Sequence, residues 1–67
     1  PVKNYITIKA NKINTIQLLD IYGKILKEKY YNEEKNIIFE LFDTKKGIYF
    51  IKIFSKEGSI TKKIIIN

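Results

Sequence analysis

The sequence has 67 residues, among them thirteen lysines, no arginine and seven acidic residues, for a net charge of +6. A chain of this size makes one domain, residues 1–67, and buries only about 60% of its unfolded surface, so its core is marginal. Cysteine and histidine are both absent, which excludes disulfides and Cys-based metal sites and removes the commonest zinc ligand and the usual general base.

No stretch approaches the roughly 20 apolar residues of a membrane span, so no membrane insertion is expected. No basic-then-apolar opening marks a signal peptide. The first residue is Pro1, which predicts a fragment or a processed product with any targeting sequence upstream. The lysine excess has two readings. A basic surface can steer an anionic partner such as nucleic acid. The alternative is codon bias toward Ile, Lys, Asn, Tyr and Phe. The absence of arginine favours the second, because lysine lacks the bidentate fork that reads bases and phosphates.

Taken in order, Tyr5 to Ala10 alternates, with Ile6, Ile8 and Ala10 on one face, and predicts a half-buried strand. Asn11 to Asn14 reads as a polar connection. Thr15 to Leu19 resumes as a strand with Ile16 and Leu18 inward. Asp20-Ile21-Tyr22-Gly23 fits a type I turn in which the carboxylate accepts a backbone N–H and Gly23 adopts the left-handed conformation. Lys24 to Tyr31 is a polar return strand suited to a sheet edge, where lysines discourage intermolecular pairing. A helix between Leu26 and Lys35 is the alternative for this stretch.

Asn32 to Asn36 reads as a charged loop and Asn36 to Phe42 as another strand, with Phe39 and Leu41 favoured for the core. Gly47 to Phe54 carries Tyr49, Ile51 and Ile53 on one face, while Lys52 marks the face of Ile48, Phe50 and Phe54 as outward. Ser55 to Gly58 is a turn, and Ser59 to Ile66 closes the hairpin. The turns ending at Gly23 and Gly58 echo each other, with Leu18 and Ile53 five residues before the glycine and Ile25 and Ile60 two after. Short strands without a helical period indicate an all-β sandwich or open barrel.

The carboxylates show no acid–base spacing, Ser55 and Ser59 lack a proton acceptor, and the three glycines form no phosphate loop. No catalytic, cofactor-binding or metal residues are assigned, and the chain is expected to be non-enzymatic. Phe50, Phe54, Tyr22, Tyr30 and Tyr31 are the aromatics most free to stand at the surface. They motivate a second reading as an adhesive or carbohydrate-binding module. A third, a basic single-strand binder, would show steep salt dependence.

The order of elements from Ile16 onward resembles the C-terminal sorting domain (type A) of proteins exported by the type IX secretion system of Bacteroidetes. Asp20 to Lys24, then Gly47-Ile48-Tyr49, the turn at Gly58 and Thr61-Lys62-Lys63-Ile64-Ile65 carry the resemblance. The opening Pro1-Val2-Lys3-Asn4-Tyr5-Ile6-Thr7-Ile8 is similar to the stretch after the Asn of that family's Pro-Asn-Pro start, so a few N-terminal residues of the domain are expected to be missing. Two departures stand out. Thr44 and Lys45 occupy the usual Leu-Pro positions, with Phe42 the candidate for the missing apolar contact. Ile66-Asn67 ends the chain where a basic residue is common.

The resemblance implies an immunoglobulin-like antiparallel β-sandwich of about five to seven strands. It implies a secretion address for an N-terminal passenger. The domain would be read by the outer-membrane type IX machinery and its signal-processing peptidase, after transit through the periplasm to the cell surface or medium. By the same resemblance, Gly47 and Tyr49 match the Gly-x-Tyr motif, Lys62 and Lys63 the basic pair, and Asp20 and Gly23 the hairpin turn. Asp20, Gly23, Gly47, Tyr49 and Gly58 are expected to shape the fold. Lys62, Lys63, Ile64 and Ile65 are the candidate recognition residues, with protection of the apolar end from aggregation as the lysines' other role.

Overall fold

A computed structural model describes residues 4–67. The opening tripeptide Pro1-Val2-Lys3, part of the family resemblance, lies outside the described residues. The fold is all-β, one antiparallel sheet of four strands: β1 (Tyr5–Leu19), β2 (Ile25–Glu40), β3 (Gly47–Ser55) and β4 (Gly58–Ile66), in the order β2-β1-β3-β4.

Two of these strands are long. β1 has 15 residues and β2 has 16, against a usual three to ten or so. They pair along most of their length, from Tyr5↔Glu40 to Leu19↔Ile25, with register shifts on either side of Ile13. At that level Lys12 has φ 54° and Glu33 has φ 52°. Both are left-handed residues with a Cβ, each costing roughly 1–2 kcal/mol. Bulges of this kind bend a strand and raise its twist.

The bend folds the hairpin over the rest of the sheet. β3 pairs with β1 only from Ile13 to Leu19, leaving Tyr5–Ala10 with β2 on one side and no ladder on the other. Lys27 and Glu40 would stand roughly 43 Å apart in a straight strand. Instead the Lys27 ammonium donates to the Glu40 carbonyl at 3.0 Å and to the Asp43 carboxylate at 3.2 Å. It also lies 5.8 Å from the centre of the Phe39 ring.

This folding brings the two halves of the pattern into one core. Ile8, Ile37 and Phe39 come from the far half of the β1–β2 hairpin, with Leu41 just after it; Ile16 and Leu18 come from the near half of β1, Ile51 from β3 and Ile66 from β4. Ile13 sits at the bend with no exposed surface. Burying a side chain of that size stabilises by about 2–3 kcal/mol, which offsets the left-handed residues beside it.

Three expectations are corrected. The sandwich of about five to seven strands is replaced by four strands in one sheet, because Asn11–Asn14 and Asn32–Asn36 are bulged strand rather than loops. Their polar side chains mislead because they lie on the solvent side of the bend. The helical alternative over Leu26–Lys35 fails because that stretch lies inside β2. The two hairpins also differ in register: Ile60 pairs with Ile53, but Ile25 pairs with Leu19 across a shift.

Other expectations agree with the structure. Phe39 and Leu41 are buried while Ile38 and Phe42 are exposed. Ile16, Leu18 and Ile51 are in the core, β2 is an edge strand, and Tyr49 and Ile53 are half-buried against the same cluster.

Candidate functional site

Local chemistry fixes the hairpin ends. The Gly23 N–H donates to the Asp20 carbonyl at 3.1 Å, closing the turn. The Asp20 carboxylate accepts the N–H groups of Tyr22 and Lys24, both at 2.9 Å. Gly23, at φ 85°, sits in the left-handed region. The β3–β4 turn is tighter, with Ser55 paired directly to Gly58. Ser55 Oγ accepts the Glu57 N–H at 3.3 Å. The Lys56 N–H reaches the Lys12 carbonyl at 3.2 Å, tying the hairpin tip to the bend.

Entry into β3 depends on the Gly-x-Tyr segment. Gly47 has φ 151°, a backbone that side-chain-bearing residues rarely adopt, and the Tyr49 ring packs over it. The Tyr49 hydroxyl donates to the Lys45 carbonyl at 2.7 Å, so the ring clamps the connection that leads into its own strand. Where the Leu-Pro pair is missing, Leu41 supplies the buried apolar contact and accepts the Thr44 N–H at 3.1 Å. Phe42, expected in that role, is exposed.

The terminal strand β4 lies at the edge of the sheet. Its candidate recognition residues are adjacent in sequence but do not share a surface. Lys62 pairs with Ile51 and Ile64 with Tyr49, on the inward side; Lys63 pairs with Phe50 and Ile65 with Ile48, on the outward side. Lys62 and Lys63, one basic pair in the sequence, are separated by the strand's period of two.

Each lysine stands in apolar surroundings. On the outer face one row runs Ile25, Leu19, Phe50 and Lys63 across all four strands, with Ile48 and Ile65 alongside. On the inner side Lys62, Ile60 and Ile64 form one wall of a groove of about 280 Å³, and Ile6, Ile8 and Ala10 of β1 form the other. Ile51 and Ile53 of β3 line it as well. The groove exists because β1's first half covers β3 but stops short of β4.

Elsewhere the polar groups are engaged with one another. Glu28 accepts hydrogen bonds from the Tyr30 hydroxyl and the Gln17 amide, which hold its carboxyl below the usual range. The same bond to Glu28 pushes Tyr30 up. Burial, then the charge of Glu34, raises Tyr31. The hydrogen bond from Lys27 and its charge lower Asp43. Lys52 lies 5.1 Å from the Phe54 ring centre. Among the described residues no group of His, Cys, Asp or Glu gathers to hold a metal ion.

Of the aromatics expected at the surface, Tyr22 and Tyr30 are exposed, whereas Phe50 and Phe54 are half-buried and Tyr31 packs on the core. They fall on a turn, both faces and different strands, and so offer no common stacking platform. The Lys27 clasp, the burial of Ile13 and the groove are not anticipated by the sequence pattern. A lone Ile inside a polar run is the available signal for Ile13; nothing local marks Lys27.

The family described as the secretion system C-terminal sorting domain matches residues 1–67. The chain belongs to that family. No curated protein and no solved structure matches it. As a type IX sorting domain, the chain presents its Gly-x-Tyr motif as a structural clamp and its basic pair on an open edge strand.

Proposed function

We propose that this sorting domain directs a passenger fused to its N-terminal side across the outer membrane through the type IX machinery of a Bacteroidetes cell. The observation that carries the reading is the family match over all of residues 1–67. The passenger would reach the periplasm first and end at the cell surface or in the medium, after a peptidase removes the domain. The partner is protein rather than nucleic acid, and the domain is a non-catalytic address. An immunoglobulin-like arrangement in the intact protein would require strands beyond the four described.

The edge position of β4 supports it as the element that is read. It offers unpaired backbone groups together with Lys62 and Ile64 on one side and Lys63 and Ile65 on the other. Gly47, Tyr49 and Gly58 shape the β3–β4 hairpin that carries that strand, and Asp20 and Gly23 shape the β1–β2 turn.

The test fuses the domain, with its natural upstream residues, to a periplasmic reporter in a type IX-competent host. Export is expected, and Lys62→Glu with Lys63→Glu is expected to trap a folded reporter in the periplasm. A reporter that stays periplasmic with the unaltered domain sinks the reading. Undiminished export of the double variant would remove β4 as the recognition element.

A further inference from the structure

The ladder between β1 and β2 determines which backbone groups of Tyr5–Ala10 are free. The Leu41 N–H donates to the Asn4 carbonyl at 2.7 Å. Residues opposite one another alternate between bonded and non-bonded pairs in an antiparallel ladder. With Tyr5↔Glu40, Ile6↔Phe39 and Ile8↔Ile37 in continuous register, Ile6 and Ile8 spend their backbone groups on β2. The N–H and C=O groups of Tyr5, Thr7 and Lys9 point the other way, and Thr7 and Lys9 line the groove.

That edge has what a strand-binding site needs. Below it lie Ile53, Ile60 and Ile64, apolar and incompletely covered. Exposed backbone donors and acceptors above an apolar floor are the features by which sheet edges capture extended peptides, with main-chain bonds giving affinity and alternate side chains giving specificity. Charge narrows the occupant. Lys9 and Lys62 line the groove, no carboxylate does, and neither lysine forms an ion pair among the described residues. A second copy of this chain, with its own net charge of +6, would bring like charge to the site.

We propose that the groove binds an extended peptide segment of a partner protein, in which apolar residues alternate with acidic ones, as an added strand on the Tyr5–Ala10 edge. The apolar side chains would cover Ile53, Ile60 and Ile64. The acidic ones would stand beside Lys9 on the solvent face, with the Lys62 ammonium reaching the rim. The site shares Lys62 and Ile64 with β4's inward side but uses the Tyr5–Ala10 backbone rather than β4's outer edge, and peptide binding to the isolated domain is read separately from export.

The experiment measures fluorescence anisotropy of a labelled peptide alternating Val and Glu, against one alternating Val and Lys, together with amide exchange of the isotopically labelled protein. Saturable binding of the Glu peptide is expected, at least tenfold tighter than the Lys peptide, with slowed exchange at Tyr5, Thr7 and Lys9. Lys9→Glu with Lys62→Glu should reverse the preference. Thr7→Pro should weaken binding at least tenfold, because it deletes an edge donor without removing a bond to β2. If Thr7→Pro unfolds the chain, charge reversal and the exchange pattern decide.

Four results would overturn the proposal. The first is absence of saturable binding, and the second is binding indifferent to the lysine reversal. The third is protection at Ser59, Thr61 and Lys63 instead. The fourth is protection of Tyr5, Thr7 and Lys9 before peptide is added: rising with protein concentration it would mark a second copy as occupant, and independent of concentration the chain's own residues.

Discussion

Ile13→Ala separates a continuous bent strand from two strands joined by a loose connection. Ile13 has no exposed surface and belongs to the core cluster, although its neighbours Lys12 and Asn14 are polar. The substitution removes three carbons, worth about 0.8 kcal/mol each in transfer, and leaves a cavity where the two halves of the sheet meet. The rigid ladder on both sides limits collapse, so the total should reach about 3–4 kcal/mol. A domain of this size is stable by roughly 3–10 kcal/mol, and the variant should be marginal or unfolded at room temperature.

Ile13→Val keeps the measurement in range: about 1 kcal/mol lost, which lowers Tm by about 4–8 °C in a domain this small. Urea unfolding followed by far-UV circular dichroism gives the first number and thermal unfolding the second. Ile60→Ala, at a 58% exposed position, serves as the comparison and should cost less than about 0.5 kcal/mol. Equal and small effects at Ile13 and Ile60 would refute the bent-strand account and restore the loose connection.

Asp20→Ala should cost about 1–2 kcal/mol in the same urea assay, since two backbone donors lose their acceptor; Asp20→Asn, which keeps an oxygen, should recover most of it. Gly47→Ala should cost about 1 kcal/mol or more through its φ of 151°, and Tyr49→Phe about 1 kcal/mol through the bond to Lys45, each read as a shift in the urea midpoint. Stability should also fall in acid. Glu28 and Asp43 have folded pKa values below the ordinary 4.5 and 3.8, so their contribution is complete above those values and is lost as pH falls through the lowered ones. Urea midpoints measured from pH 7 down to 2 should show this, with Lys27→Gln flattening the Asp43 part and Tyr30→Phe the Glu28 part.

What was legible in the sequence was everything governed by nearest neighbours. Alternation placed Ile8, Ile16, Leu18 and Ile51 inward, and an aspartate three residues before a glycine located the Asp20 turn. The breaks between strands are not legible there, because composition cannot distinguish a loop from a bulge. Asn11–Asn14 and Asn32–Asn36 are polar in either case, and what keeps them in the ladder is the partner strand opposite, a long-range fact.

The same limitation hid the groove. Ile6, Ile8 and Ala10 read as one half-buried face, but whether that face is fully covered depends on how far the bend at Lys12 and Glu33 carries β1 across β3 and β4. Ile51 is fully covered, whereas Ile60 is exposed and Ile64 half-buried. The bend that completes the core therefore also leaves an edge and an apolar floor unfilled.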